Sequence, residues 1–290
     1  NKTTHNWIGT EENPATYIPG TCGSSACSTV KNENQRRVLY LQNPAEGQYY
    51  STIAHTDDGA NAEYNGLMIS SSHRTAHHYT ILANYTYSHC ISEGAFTGEL
   101  SGPTYQNPYD RDADRGNCIF DHRQIANLSV VASMPRLGSG FLGKLASDWQ
   151  IAPLMSAQSG SWFSPETGTD NSLTGVGLDR PNIVGQTYDH GSTNHQWLNP
   201  AGFNPNPTGT FGDAGAYSLR GPGYIDIDAA LSRLFPVYHE QLIEVRFEAF
   251  NTLNRVNYGN PTATESSSTF GRILTANSPR ILQFAMKYNF

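Results

Sequence analysis

The sequence is poor in charge. Charged side chains make up 15% of its 290 residues, against about 25% in an average soluble chain. What charge there is sums to −7, which argues against a nucleic-acid partner. Hydrophobic residues are also scarce, at 37%. Apolar runs such as Val130 to Ala132 fall far short of the roughly 18 residues that a membrane helix needs. No apolar stripe at helical spacing has useful length. These absences exclude a coiled coil, a helical bundle and a charged disordered tail. They leave a membrane barrel open, since its strands need only about 9–11 residues, every second one apolar. No G-x-S-x-G, H-E-x-x-H or P-loop occurs, so neither an enzyme nor a cofactor is expected. Asn1 is not followed by a basic segment and an apolar one, so no signal peptide is read: either it has been removed or this is a piece of a longer protein.

What is abundant is Tyr (16), Phe (12) and Gly (27), arranged with period two. Leu282, Phe284, Met286, Tyr288 and Phe290 fall on one face, and Gln283, Ala285, Lys287 and Asn289 on the other. Ile243, Val245, Phe247 and Ala249 oppose Glu244, Arg246 and Glu248; Ile225, Ile227, Ala229 and Leu231 oppose Asp226, Asp228 and Ser232. The same alternation marks Trp149 to Ser156, Leu128 to Met134 and Tyr79 to Ser88. Weaker strands are read near Gln48 to Thr56 and from Tyr64 to Ser72, which brings the total to about eight.

Alternation alone fits a soluble sandwich or a membrane barrel. Aromatic residues near strand ends, such as Tyr85, Tyr87, Tyr224, Phe235, Tyr288 and Phe290, favour the barrel with its interfacial girdles. Connection length separates the two better. His73 to His77 and Pro236 to Glu240 are tight and Pro135 to Ser147 is moderate, while Ser92 to Asp121, Gln158 to Gly223 and Asn254 to Ser278 are long. Short periplasmic turns alternating with long outer loops are expected of an outer-membrane barrel. Asp57 to Ala62, read as a short connection, is the one poor fit. The expected fold is therefore all-β: an antiparallel meander of about eight strands of a transmembrane outer-membrane β-barrel, with long extracellular loops and outer-membrane lipid as a partner. Asp226, Asp228, Glu244, Arg246 and Glu248 then become lumen-facing charges. As a general acid–base pair, Glu244 and Glu248 would need a cleft and a raised pKa. Val245→Arg should cost about 2–4 kcal/mol if it meets midplane lipid. The alternative is a secreted or surface β-sandwich that binds glycan or protein without transport; a β-rich hydrolase is a third. The sandwich would require Phe247, Ile227 and Val130 to share one dry core.

Four cysteines in an oxidising envelope suggest two disulfides, Cys22–Cys27 and Cys90–Cys118. His89, Cys90, Cys118 and His122 are an alternative zinc set without a C-x-x-C pair. Asp110, Asp112, Asp114, Gly116 and Asp121 resemble a calcium loop in composition, but Arg115 stands where a glycine belongs and Asp121 replaces the bidentate Glu. The competing account is a salt-bridged loop with Arg111, Arg115 and Arg123. His73, His77 and His78 read as a surface cluster. The glycosylation sequons at Asn1, Asn84 and Asn127 are set aside, two of them lying inside strands.

A family resemblance covers nearly the whole chain, in order. Tyr64-Asn65-Gly66-Leu67, Asn84-Tyr85-Thr86-Tyr87-Ser88, Gln106-Asn107-Pro108-Tyr109-Asp110, Asp114-Arg115-Gly116 and Phe120-Asp121-His122-Arg123 begin it. Arg180-Pro181-Asn182, Trp197 to Phe203, Arg220-Gly221-Pro222-Gly223, Phe247 to Asn254, Phe270-Gly271-Arg272-Ile273 and Pro279-Arg280 follow. Together they resemble the barrel of Oar-like TonB-dependent outer-membrane receptors. The resemblance implies that residues 1–290 are the C-terminal portion of a barrel of about 22 strands. It also implies energy-coupled uptake of a bulky solute captured by the outer loops, the solute itself remaining unknown. The family's N-terminal domain, plug and TonB-contacting box have no counterpart here, so contact with the TonB system would run only through the missing plug. Terminal Phe290, with Tyr288 two positions before it, resembles the signal that the barrel-assembly machinery reads for insertion, an edge strand ready to pair with another sheet.

Overall fold

The computed structural model describes residues 2–75, 79–93, 105–135, 138, 140–141, 143, 147–189, 195–238 and 241–290. Eight long strands dominate: β1 (Lys2–Glu11), β2 (Ala54–Arg74), β3 (Tyr79–Glu93), β4 (Gln124–Ser133), β5 (Trp149–Gln158), β6 (Tyr224–Tyr238), β7 (Gln241–Phe250) and β8 (Ile281–Asn289). They pair in chain order, each antiparallel to the next, with a short strand Arg115–Asn117 added beside β3. The path begins at β1 and ends at β8, so these are the two edges.

Two expectations about the first strands need correction. Residues 48–53 are outside any strand, and the segments near Gln48 to Thr56 and Tyr64 to Ser72 contribute to a single strand of 21 residues. Asp57 to Ala62 is therefore strand interior rather than a connection. The eighth strand is β1, whose residues include Lys2, Thr3, Thr4, His5 and Asn6 and show no apolar alternation. Backbone pairing with β2, from Lys2↔Tyr64 to Glu11↔Ala54, forms it without an apolar face to announce it. With this correction the connections 12–53, 75–78, 94–123, 134–148, 159–223, 239–240 and 251–280 alternate long and short throughout. The chain's last residue lies at the short-turn end, because β8 runs from the long connection 251–280 towards that end. His77 and His78 lie outside the described residues, as does Asn1, whereas His73 belongs to β2.

Directly paired residues share a face. One row across the sheet reads Tyr79, Ala132, Ile151, Leu231, Phe247, Phe284, and the next reads Ile81 and Val130, then Pro153, Ala229, Ala249 and Leu282. On the opposite face a row reads Ser70, Asn84, Asn127, Ser156, Asp226. One side of the sheet is thus apolar and the other polar. The apolar side covers no core: Phe247 is 48% exposed and Leu282 73%, and Ile227 and Val130 are only half-buried. The main buried apolar cluster lies instead in the long connections, where Phe163, Leu198, Phe203, Leu219 and Phe270 pack together, Phe203 and Phe270 edge to face at 5.2 Å. A sandwich would bury its apolar strand faces against a second sheet, and these faces remain uncovered. Among the described residues no helix is long and apolar enough to cross a membrane.

Candidate functional site

The long connections fold into a cap at one end of the sheet. Two buried arginines organise it. Arg180, from the longest connection, forms an ion pair with Asp114 and donates from Nε to Ala214 O at 2.6 Å and from Nη2 to Ala113 O at 3.0 Å. Gln106 completes the centre: its N–H donates to Asp114 Oδ2 at 3.0 Å, its Oε1 accepts from Arg180 N–H at 2.6 Å, and its Nε2 donates to Gly212 O at 3.0 Å. Arg37 lies 2.9 Å from Glu33 and 3.7 Å from Glu11 at the end of β1, and also donates to Asn13 O at 2.7 Å. Both of these guanidinium groups are thus paired and hydrogen-bonded, the condition under which burial is tolerated. Gly116 lies against the Ala216 carbonyl, where a Cβ would clash, so its small size fixes how two connections meet.

The cysteines are bonded in two pairs, Cys22–Cys27 and Cys90–Cys118. Bonded sulfurs cannot serve as zinc thiolates, and the histidines beside them have other contacts: His89 Nε2 is 3.2 Å from Asn117 Oδ1, and His122 Nδ1 is 2.7 Å from Ser159 O. The acidic loop does not gather around a cation either. Asp114 belongs to Arg180; Asp110 Oδ1 accepts from Asp112 N–H at 3.1 Å; Asp121 accepts from Cys90 N–H and from Trp162 Nε1–H, both at 3.0 Å. Among the described residues no group of three His, Cys, Asp or Glu side chains could hold a metal ion. The salt-bridge account of this loop holds in part: Arg123 lies 4.0 Å from Asp121. Asp114 pairs with Arg180, 66 positions away, rather than with Arg111, Arg115 or Arg123. Sequence pattern could not pair two residues so far apart, although both belong to segments that carry the family resemblance.

The five singled-out charges share the polar face. Ala230 pairs with Glu248, Ser232 with Arg246 and Leu234 with Glu244, so the even-numbered residues of β6, Asp226 and Asp228 included, point the same way as Glu244, Arg246 and Glu248. Arg246 lies 3.6 Å from Glu244 and 3.4 Å from Glu248. It balances both carboxylates in a partly exposed ladder of alternating charge.

Where β6 and β7 meet the cap, the polar face holds two adjoining hollows. One, of about 250 Å³, is lined by Tyr224, Asp226, Asp228, Phe250 and Asn277. The other, of about 270 Å³, shares Tyr224 and Asn277 and adds His122, Gln158 and Tyr258. Tyr224 Oη donates to Asp226 Oδ2 at 3.0 Å, and Asp228 Oδ1 accepts from Asn251 N–H at 2.9 Å. Asn251 takes a φ of +49°, a left-handed conformation that asparagine tolerates. It ends β7 and starts the turn that carries Asn257 back to clamp Ile225, accepting from its N–H at 3.0 Å and donating to its C=O at 2.9 Å. Asn257 and Asn277 were not singled out from the sequence, where isolated asparagines in a long loop give no periodic signal.

Tyr288 and Phe290 are 50% and 98% exposed, their rings 6.1 Å apart, at the short-turn end of the edge strand.

An antiparallel meander with one uncovered apolar face, one polar face and sorted connections is the wall of a membrane barrel. The chain belongs to the outer membrane beta barrel domain family, whose model matches residues 1–283. Comparison with curated proteins gives no match. Family membership places the chain in the bacterial outer membrane, with lipid against its apolar face.

Proposed function

We propose that residues 1–290 form the C-terminal portion of the barrel of an Oar-like TonB-dependent receptor, whose outer loops capture a bulky solute for energy-coupled uptake. In this reading the plug and N-terminal domains belong to the rest of the protein, and the TonB system acts through that plug. The observation that carries it is the sorting of the connections: the long ones gather in a folded cap with its own apolar cluster and buried arginines, above a polar face with hollows at its mouth. A cap of this kind presents a fixed surface to a ligand, as binding loops on a rigid scaffold do. The charged ladder Glu244, Arg246 and Glu248 lines the lumen, and Tyr288 with Phe290 is the signal by which the barrel-assembly machinery inserts the chain.

The test uses intact cells that produce the whole protein. An amine reagent that cannot cross membranes should label exposed Lys31 in the 12–53 connection, and solute accumulated through the protein should be lost when the proton gradient is collapsed. Labelling with accumulation that ignores the gradient would leave an outer-membrane barrel without TonB coupling. Removal of both terminal aromatics (Tyr288→Ala with Phe290→Ala) should lower the amount assembled in the membrane; assembly at the unmodified level would reject the insertion-signal role.

A further inference from the structure

The two hollows at the mouth of the polar face have a selective lining. They lie where β5 ends and β6 begins, Gln158 pairing with Tyr224 at the long-loop end of the sheet, so a solute that moves from the cap into the lumen passes them. Among the described residues no lysine or arginine lines either one. Asp226 and Asp228 put two carboxylates there instead, a field that disfavours an anionic solute.

The polar groups of the lining work in both directions. The side-chain amides of Gln158 and Asn277 have no hydrogen-bond partner among the described residues, and each offers both donors and an acceptor. Asn260 Oδ1 accepts from Ser161 Oγ at 3.2 Å, which leaves its amide nitrogen to donate. His122 Nδ1 lies 2.7 Å from Ser159 O. A carbonyl only accepts, so the proton sits on Nδ1 and Nε2 is the acceptor of the neutral ring. Asn260 and Asn277 are exposed, and Gln158 and His122 half-buried. Aromatic rings stand beside these groups: Tyr224 in both hollows, Phe250 in one and Tyr258 in the other, the last two 40% and 39% exposed. The face of such a ring is negative and attracts C–H bonds.

We propose that the two hollows bind a neutral saccharide on its way into the lumen, its C–H face on Tyr258 or Phe250 and its hydroxyls on His122, Gln158 and Asn277. An ammonium only donates and a carboxylate or phosphate only accepts, whereas a hydroxyl does both, as this lining requires. A peptide also does both, but it needs pockets for its side chains between the main-chain bonds, and Pro222, Pro279 and Ile281 are the whole aliphatic lining. The hollows measure about 250 and 270 Å³ and adjoin, so together they reach the roughly 300–1,000 Å³ scale of small-molecule sites. The inference rests on the uptake reading and names the class of solute for the same mouth.

The test is isothermal titration calorimetry of the whole protein, purified from outer membranes in a detergent without a sugar headgroup, against trisaccharides of glucose, galactose, mannose and xylose. At least one should bind, and trigalacturonate should bind about tenfold more weakly than the best of them. Gln158→Ala and Asn277→Ala should each weaken binding about five- to tenfold, the loss of one uncharged hydrogen bond. Ser232→Ala, on the same face about 20 Å further along β6, should leave it unchanged. Heat-dependent mobility on gels reports whether each variant is folded; if either alanine variant is not, Tyr258→Ala tests the same hollow. Binding of none of the trisaccharides, or binding indifferent to these substitutions, overturns the site. So does spermidine, trialanine or trigalacturonate bound as tightly as the best sugar. Saccharide binding together with accumulation that ignores the proton gradient would reject TonB coupling and leave this site standing; gradient-dependent accumulation without saccharide binding would do the reverse.

Discussion

In the cap a single side chain can hold several partners. Arg180 satisfies Asp114, Ala113 and Ala214 at once, and it is 5% exposed. Arg180→Met should therefore lower cap stability by about 3–5 kcal/mol, the cost of leaving a buried carboxylate unpaired. Urea unfolding followed by the fluorescence of Trp162 and Trp197, both in the cap, measures it; a loss below about 1 kcal/mol would mean that the pair is solvated in practice. Asp179 gives a pH signature. Burial raises its carboxyl above the ordinary 3.8, against the lowering effect of the Ser172 N–H and hydroxyl and of Asn206. The folded cap thus holds this proton to a higher pH than the unfolded chain. Its contribution is fully present below the ordinary value and is lost as pH rises through the raised one. The same urea midpoint should fall across that window in the native protein, and Asp179→Asn should flatten the slope. Neither residue could be found by pattern: ion pairs made across dozens of positions leave no local trace, and only the family resemblance marked the segment containing Arg180.

At the scale of the strand, what the sequence reveals depends on whether side chains or backbone specify the element. β4 to β8 announce themselves because lipid on one side and water on the other demand alternation. β1 does not, because its ladder with β2 is made by peptide groups, and the 21 residues of β2 read as two fragments for want of a continuous apolar face. The register also relocates a test. Val245 pairs directly with Arg233, whose guanidinium carbon lies 4.5 Å from the ring centre of Phe235, which puts it near the level of an aromatic-flanked cation. Arginine there should cost little, since the penalty falls to about 0–1 kcal/mol near an interface. The row of Ala229 lies midway between the rows of Tyr85 and Trp149. Ala229→Arg should therefore cost about 2–4 kcal/mol in vesicle refolding, and Ala230→Arg, one position on and facing the other way, close to nothing. Equal costs for these neighbouring alanines would refute the assignment of faces.

At the scale of the molecule, the two edges determine what the chain is. β1 runs from the short-turn end to the long-loop end and β8 runs back, so direct pairing of the edges, or insertion of an even number of further strands, keeps every neighbour antiparallel. A barrel of eight strands is filled by its own side chains. That interior would enclose Asp226, Asp228, Glu244, Arg246, Glu248 and Lys287, which the register puts on one face, with little water to solvate them. The exposed state of Arg246, 47% of its side chain, suits a wider, wet lumen instead. All four native cysteines are bonded, so introduced thiols can report the distance between the edges. Cysteines placed one at a time at Thr3 to Ile8 and paired with Phe284→Cys or Met286→Cys should give no intramolecular crosslink in the membrane if further strands separate β1 from β8. Edges in direct contact would bring some pair within the roughly 4.4–6.8 Å between Cα atoms that a disulfide requires. A crosslink from even one such pair would make this a self-closed eight-stranded barrel, and the charges on its polar face would then have to be explained as a buried network rather than the lining of a channel.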